Sequence, residues 1–267
     1  MGAAQTVLSN LRDVRHMGFF YLKHHVSTSA SVRGIGRVTV RRGSDAQVFA
    51  QVFSSMQYEL QYVRQFDEIQ RRFEDIKTCG KIPLIIDLGA NNGASALWFA
   101  SRFPGSRVVA VEPDPENAAT CRHNVRGQNV VVLEAAIGSE AGMVNLITDN
   151  REDWTVTTER SAGGDVQLLT VSEILESNSD CELFLVKIDI EGFESDLFQS
   201  STEWLLKTKV VFIEPHDWFF PGSSRHFQRV LGAMDFDLLI KDENLIYVQR
   251  EATVGFSDRC TVVVDAL

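Results

Sequence analysis

From Ile82 onward the chain repeats one pattern: a short apolar run, a break, a helix-like stretch, then another apolar run. Parallel strands can be joined only by crossovers long enough to hold a helix, so this alternation is the signature of βαβ units. Strands are expected at 82–88, 107–112, 129–134, 182–189, 208–214, 236–240 and 244–248. Helices are expected near 94–103, 114–126, 191–201 and 224–234, with a short one from Val171 to Glu176. Residues 142–148 and 166–170 read as extra strands between the third and fourth core strands. One connection departs from the pattern. Leu238–Ile240 and Leu245–Val248 are joined only through Lys241–Asn244, too short for a crossover, so this pair must be antiparallel. The expectation is an α/β protein with a Rossmann-like sheet, mostly parallel and ending in a C-terminal antiparallel hairpin.

Upstream of Ile82 the periodicity is helical. Leu8, Leu11, Phe19 and Leu22 suit an amphipathic helix over Thr6–Lys23, after which His24 and His25 read as exposed loop residues. Val32–Arg41 alternates as a strand interrupted by Gly34 and Gly36. Ser44 and Gln47 form a capping box for a helix carrying Phe49, Val52 and Phe53, and a second helix is expected over Glu59–Lys77. The chain thus divides into a helical N-terminal extension with a short strand (1–80), an α/β domain (81–250) and a tail (251–267) to which no function is assigned.

Composition bounds the partners. With 267 residues, 44% apolar and 23% charged, a core is well supplied, and a net charge of −10 argues against nucleic acid. The charge is uneven: residues 1–42 carry seven Arg or Lys against Asp13 alone, leaving the front end +6 and the rest −16. That segment suits a peripheral membrane or partner contact, but pairing with the protein's own acidic body is the favoured reading. Cys79, Cys121, Cys181 and Cys260 lack the spacing of a zinc or redox motif. With no spanning helix and no secretory signal at Met1–Asn10, a soluble, cytoplasmic protein is expected. Met1, Gly2 and Thr6 match the N-myristoylation pattern, which is short enough to recur by chance.

Four strand ends carry the chemistry. Ile85–Leu88 runs into Gly89, Ala90, Asn91, Asn92 and Gly93, a strand, glycine loop and helix start of the kind that brings backbone close to a ligand. Asn91 stands where a dinucleotide fingerprint needs glycine, so the match to NAD is defective. Val108–Val111 ends in Glu112, Pro113 and Asp114, and an acid at that position accepts the hydroxyls of a ribose; its alternative is a charge for the following helix. Lys187, Asp189, Glu191 and Glu194 crowd the end of a central strand. A mutual ion pair accounts for Lys187 and helix-start electrostatics for Glu194, whereas Asp189 and Glu191 belong to the active face. Val210–Ile213 ends in Glu214, Pro215 and His216. Such a set can deprotonate a hydroxyl or hold a divalent cation that does so, and an exposed loop position is the alternative for His216.

Taken together, IDLGANNG, VEPDPEN, KIDIEGFE and IEPH resemble the FkbM family of S-adenosylmethionine-dependent methyltransferases over about Pro83–Arg250. RVTVRRGSDAQVFAQVF with Gln57, Tyr58 and Glu59 is similar to the lead-in of members associated with glycan biosynthesis. The resemblance implies a class I methyltransferase sheet and O-methyl transfer to a hydroxyl of a sugar, glycan or natural product. It further implies that Asp87, Gly89, Asn91 and Gly93 cradle the methionine end of S-adenosylmethionine and that Glu112, beside Pro113, takes the ribose. Glu134–Ala136 would lie near adenine, with Ala136 offering backbone. Asp189, His216 and Glu191 are the catalytic candidates, with Asp189 or His216 as the base. Asp189, Glu191 and Glu214 are the ligands of any divalent metal. Two alternatives stay open: an NAD-dependent oxidoreductase, and a noncatalytic adenosine-binding subunit.

Overall fold

The computed structural model describes residues 29–41, 45–148 and 156–250. The expected helix at 6–23, the histidine pair, the Ser44 cap, the myristoylation pattern, Cys260 and the tail lie outside the described residues.

The chain opens with a hairpin, β1 (Ser29–Val32) against β2 (Gly36–Thr39), where one strand was expected, because Gly34 and Gly36 both adopt positive φ and reverse the chain. Helix α1 (Asp45–Phe53) follows. The second expected helix is shorter: α2 spans Phe66–Thr78. Residues 57–65 are turns, held by the buried Glu59 carboxylate, which accepts the Leu60 and Gln61 amides at 3.0 and 3.1 Å and pairs with Arg102 at 2.6 Å.

From β3 (Ile82–Leu88) the expected alternation holds to within a residue or two: α3 (Ala94–Arg102), β4 (Arg107–Val111), α4 (Pro115–Asn124) and β5 (Val130–Leu133). A small sheet is then inserted. Strands β6 (Ala136–Ile137), β7 (Gly142–Thr148), β8 (Val156–Arg160) and β9 (Val166–Leu169) pair in the order β6-β9-β7-β8. Sequence periodicity found β7 and β9 but neither β6, too short to have a period, nor β8. Next come α5 (Val171–Glu176), with its Thr170–Glu173 capping box, and β10 (Cys181–Ile188). The helix expected over 191–201 is reduced to one turn, α6 (Glu194–Leu197), because Glu191 and Gly192 have left-handed φ of 51° and 93° and no helix can pass through them. A 3₁₀ turn (Glu203–Lys207), β11 (Val210–Ile213), α7 (Arg225–Gly232), β12 (Phe236–Lys241) and β13 (Asn244–Gln249) complete the described chain.

The main sheet has seven strands in the order β12-β13-β11-β10-β3-β4-β5. Strands β11, β10, β3, β4 and β5 are parallel, and β13 is antiparallel to both β11 and β12. The class I methyltransferase sheet with its terminal hairpin is therefore present, and the all-parallel dinucleotide-dehydrogenase sheet is not. Alternate residues of each strand feed two cores. Ile85, Val108, Leu185 and Phe212 face α2, α3 and the front end, where Phe49, Tyr58, Ile69 and Phe73 pack. Leu84, Ile86, Val109, Val186 and Val211 face α5, α6 and α7, where Ile174, Leu197, Phe198 and Phe227 pack. Residues 30–78 thus supply one wall of the main core, and each buried Phe or Leu there contributes about 1.5–3 kcal/mol. Among the described residues no helix is long and apolar enough to cross a membrane.

The strand-end cleft and the candidate active site

The parallel strands all end on one side, and their loops enclose a cleft of about 560 Å³, counting the solvent at its mouth. Gly89, Asn91, Glu112, Ala136, Asp189 and Glu191 are among its lining residues, so the loops after β3, β4, β5 and β10 converge as the sequence predicts. Pro113 lines it too, and the inserted sheet adds Thr158, which no sequence pattern indicated.

The loop after β3 is shaped by its glycine. Gly89 has φ 79°, and a Cβ there would lie 1.7 Å from the Asp189 carbonyl oxygen, so the two loops touch backbone to backbone. Asn91 is also left-handed, with φ 47°, a conformation Asn tolerates better than most residues. Its amide donates to Glu112 Oε2 at 2.8 Å, while the Asp114 amide and Asn117 Nδ2 donate to Oε1 at 3.0 and 3.3 Å. Burial pushes the Glu112 carboxyl up to about 7 against the pull of those donors.

Two residues expected to touch a cofactor stand behind the cleft wall instead. Asp87 is fully buried under the loop, accepting from Ser95 Oγ at 2.6 Å and pairing with Lys187 Nζ at 3.3 Å. Gly93 begins α3 against α4: a Cβ there would meet Cys121 Sγ at 2.9 Å. Both are absent from the lining, because strand and helix packing claims them. Glu134 likewise turns outward to Arg122 at 2.9 Å, leaving Ala135 and Ala136 to form the wall.

Lys187 does form the expected ion pair, and more. Its register partner across the sheet is Asp87, and its ammonium also lies 3.3 Å from Asp189 and donates to the Gly89 carbonyl at 2.6 Å. Burial opposes its charge, but the two carboxylates outweigh burial and raise its pKa. One buried cation thereby ties the glycine loop to the loop after β10.

His216 and Glu214 are not among the lining residues but stand behind Asp189 and Glu191, and His216 is buried, 3% exposed, so the exposed-loop alternative fails. Its Nδ1 lies 2.8 Å from Oε1 of Glu194, itself fully buried. A carboxylate can only accept, so Nδ1 carries the hydrogen and Nε2 is turned to the opposite side. There Nε2 lies 3.6 Å from Asp189, 3.6 Å from Glu191 and 3.9 Å from Glu214. Burial lowers the imidazole pKa, but the Glu194 hydrogen bond and the charges of Asp189, Glu194 and Glu191 prevail and raise it to about 9. Glu191 is pushed up to about 7 by burial and by Asp189, and Glu214 to about 9 by burial, Asp189 and Glu243.

Glu194 is the buried partner of His216 that sequence reasoning passed over. Helix-start electrostatics explained it, and that helix proves to be a single turn whose first residue points inward. Its spacing from His216 gives no clue, since the contact spans two loops.

Donor atoms of Asp189, Glu214 and His216 lie within 4.8 Å of one another, a set with the reach to hold a metal ion. The set expected from sequence paired Asp189 and Glu214 with Glu191; the convergent third member is His216.

Comparison with known proteins bears on what such a cleft does. A family model, the methyltransferase FkbM domain, matches residues 87–238, more than half of the chain. The chain is 25% identical over 155 residues to the 2-O-methyltransferase NoeI of Sinorhizobium fredii, covering 51% of this chain and 64% of that protein, just under two thirds of its length. It is 24% identical over 203 residues to the methyltransferase sdnD of Sordaria araneosa, covering 61% of this chain and 77% of that one. Among solved structures, monomeric WbdD superposes with a TM-score of 0.41 at 12% identity, over 71% of this chain and 42% of that one. A likeness that loose carries no argument about substrate or mechanism.

Proposed function

The chain belongs to the FkbM methyltransferase family, and from that premise we propose that it moves a methyl group from S-adenosylmethionine to a hydroxyl of a sugar or glycan. Support for the cofactor comes from the cleft. At Gly89 a Cβ would fill space that backbone occupies, and Glu112, Asp189 and Glu191 set three carboxylates along the wall, suited to a ligand bearing positive sulfonium and ammonium groups and ribose hydroxyl donors. S-adenosylmethionine supplies a methyl group already activated by its positive sulfur. The protein's tasks are to orient the acceptor and to remove its proton.

Glu112 accepts a ribose hydroxyl on Oε2, where the Asn91 amide is the one N–H donor, while Oε1 is taken by the Asp114 amide and Asn117 Nδ2. In its neutral form, whose share grows as pH rises toward its pKa of about 9, His216 takes the acceptor's proton on Nε2, and Glu194 stabilises the resulting imidazolium through Nδ1–H. Asp189, Glu191 and Glu214 accept neighbouring hydroxyls and favour the charged ring. The observation that carries this reading is the Glu194–His216 pair, a buried carboxylate holding the Nδ1 hydrogen of a buried imidazole whose other nitrogen faces Asp189 and Glu191 of the cleft and Glu214 beside it.

A second reading of the same residues has one observation in its favour. The convergence of Asp189, Glu214 and His216 offers two oxygen donors and one nitrogen to a divalent cation, which would lower the acceptor hydroxyl's pKa. His216 cannot serve as ligand and base at once. Incorporation of labelled methyl into a panel of sugars, with added Mg²⁺ or with a chelator, separates the two. Turnover that survives the chelator supports a side-chain base, His216 if His216→Asn then abolishes it, and turnover that requires the metal supports His216 as a ligand. Absence of adenosylhomocysteine binding by calorimetry overturns both.

A further inference from the structure

Beyond the cleft, the turn after His216 holds two large aromatic side chains in water: Trp218 is 60% exposed and Phe219 59%. This turn is fixed rather than loose. The Phe219 and Phe220 amides donate to the His216 carbonyl at 3.1 and 2.8 Å, and the Gly222 amide donates to Asp217 at 3.1 Å. Phe220 packs over Gly192, where a Cβ would come within 2.3 Å of its ring, so the turn is also pinned to the loop that carries Glu191. The Trp218 ring lies 5.8 Å from the His216 ring and 6.1 Å from that of Phe219. An indole held in water by a rigid turn, in ring contact with the proposed base, is a surface made for a ligand.

We propose that Trp218 is the platform on which the acceptor stacks, and that the acceptor ring it takes is an uncharged pyranose. This rests on the O-methyltransferase reading above. The occupant follows from the charge around the platform. Glu214, Asp189 and Glu191 surround His216 Nε2, at 3.9, 3.6 and 3.6 Å. Three carboxyl groups around one imidazole offer a cluster of hydrogen-bonding oxygens to a ring rich in hydroxyls, while the cations there, Lys187 and His216, are already paired with Asp87, Asp189 and Glu194 and so offer little to a carboxylate, sulfate or phosphate. A pyranose presents C–H groups on its face to the indole and hydroxyls at its edge to the acids. A phenol offers a flat face but one acidic hydroxyl, which as a phenolate would be repelled. Trp218 rather than Phe219 is the platform, because Trp218 touches the His216 ring and Phe219 touches only Trp218.

The test uses full-length protein saturated with adenosylhomocysteine and titrated, by tryptophan fluorescence and saturation-transfer NMR, with N-acetylchitotetraose, cellotetraose, tetragalacturonate and catechol. A neutral tetrasaccharide is expected to bind the wild type, to lose about tenfold in affinity in Trp218→Ala, and to keep most of it in Trp218→Phe. Adenosylhomocysteine binding by calorimetry is expected unchanged in both variants, which also reports that they fold. Three results overturn the platform while leaving the methyltransferase reading intact: equal binding of neutral saccharide by wild type and Trp218→Ala, binding confined to tetragalacturonate or catechol, or no saccharide binding by protein that binds adenosylhomocysteine. Loss of adenosylhomocysteine binding in the wild type itself overturns the reading on which the platform depends.

Discussion

At one end of the cleft Glu112 is gripped by three N–H donors, from Asn91, Asp114 and Asn117. At the other, Glu191 and Glu214 accept no hydrogen bond from the described residues and face Asp189 and His216 at longer range. Both ends hold carboxyls whose pKa is raised, but the causes differ. Burial acts on Glu112 against donors that favour its charge, whereas at Glu191 and Glu214 burial is reinforced by neighbouring carboxylates. The first arrangement is preorganised, its geometry set before a ligand arrives. The second carries unspent negative charge that a proton, a cation or a row of hydroxyls must neutralise. Under the proposed function, the Glu112 end is the cofactor end, built to hold still, and the His216 end is the acceptor end, built to exchange protons.

The sharpest way to break this contrast is at His216. His216→Asn is expected to lower kcat by about 10²- to 10⁴-fold, the worth of a general base, with adenosylhomocysteine affinity unchanged in calorimetry. Equal losses in both measurements would mean that the two ends are not separable. Gly89→Ala attacks the seam between them. The added methyl would sit 1.7 Å from the Asp189 carbonyl at a positive φ, so a loss of about 3 kcal/mol or more in urea unfolding is expected, with cofactor affinity and kcat falling together.

Glu112→Gln sharpens the cofactor end, with adenosylhomocysteine affinity falling about 10- to 100-fold, as for loss of a charged hydrogen-bond acceptor. The pH profile follows from its pKa of about 7. Ribose hydroxyls are best accepted by the ionised carboxylate. Below about pH 7 the protonated form predominates in the free protein, so affinity is expected to fall by up to about tenfold per pH unit on acidification and to level off above it. Glu112→Gln should flatten that slope; a slope that persists in the variant assigns it to another group.

The smallest effect is expected from the front end. Arg41 pairs with Asp45 at 2.8 Å and donates to Asn117 Oδ1 at 2.6 Å, and Asn117 in turn donates to Glu112. Arg41→Ala is expected to weaken adenosylhomocysteine binding a few-fold, about 0.5–1 kcal/mol, without altering the acceptor end, as half-exposed ion pairs allow. This Arg41 contact is also the case, within the described residues, of a front-end arginine meeting the acidic body as the charge pattern suggested.

Legibility from sequence was uneven. Strands β3, β4, β10 and β11 were plain because each is buried on both faces and so reads as an unbroken apolar run, and the acids that end them stood out as costly exceptions. Glu112, Gly89 and His216 could be picked out on that ground. The second helix starts later than expected because Leu60 and Val63 keep helical spacing while the backbone there closes successive three-residue turns, Glu59 onto Met56, Val63 onto Leu60 and Phe66 onto Val63. Strand β8 escaped because it lies in the small inserted sheet, where partners rather than periodicity define the strand.

The order of elements, the direction of the last hairpin and the gathering of four strand ends at one edge were determined by sequence, because period, connection length and chain direction are local properties. Pairing was decided by tertiary structure. Asp87 belongs to Lys187 and not to the cleft, Glu194 opens α6 but gives its carboxylate to His216, and His216 rather than Glu191 completes the donor set with Asp189 and Glu214. Each of these contacts joins segments far apart in the chain, and a side chain's partner there depends on where the sheet puts its neighbours, which no local pattern encodes.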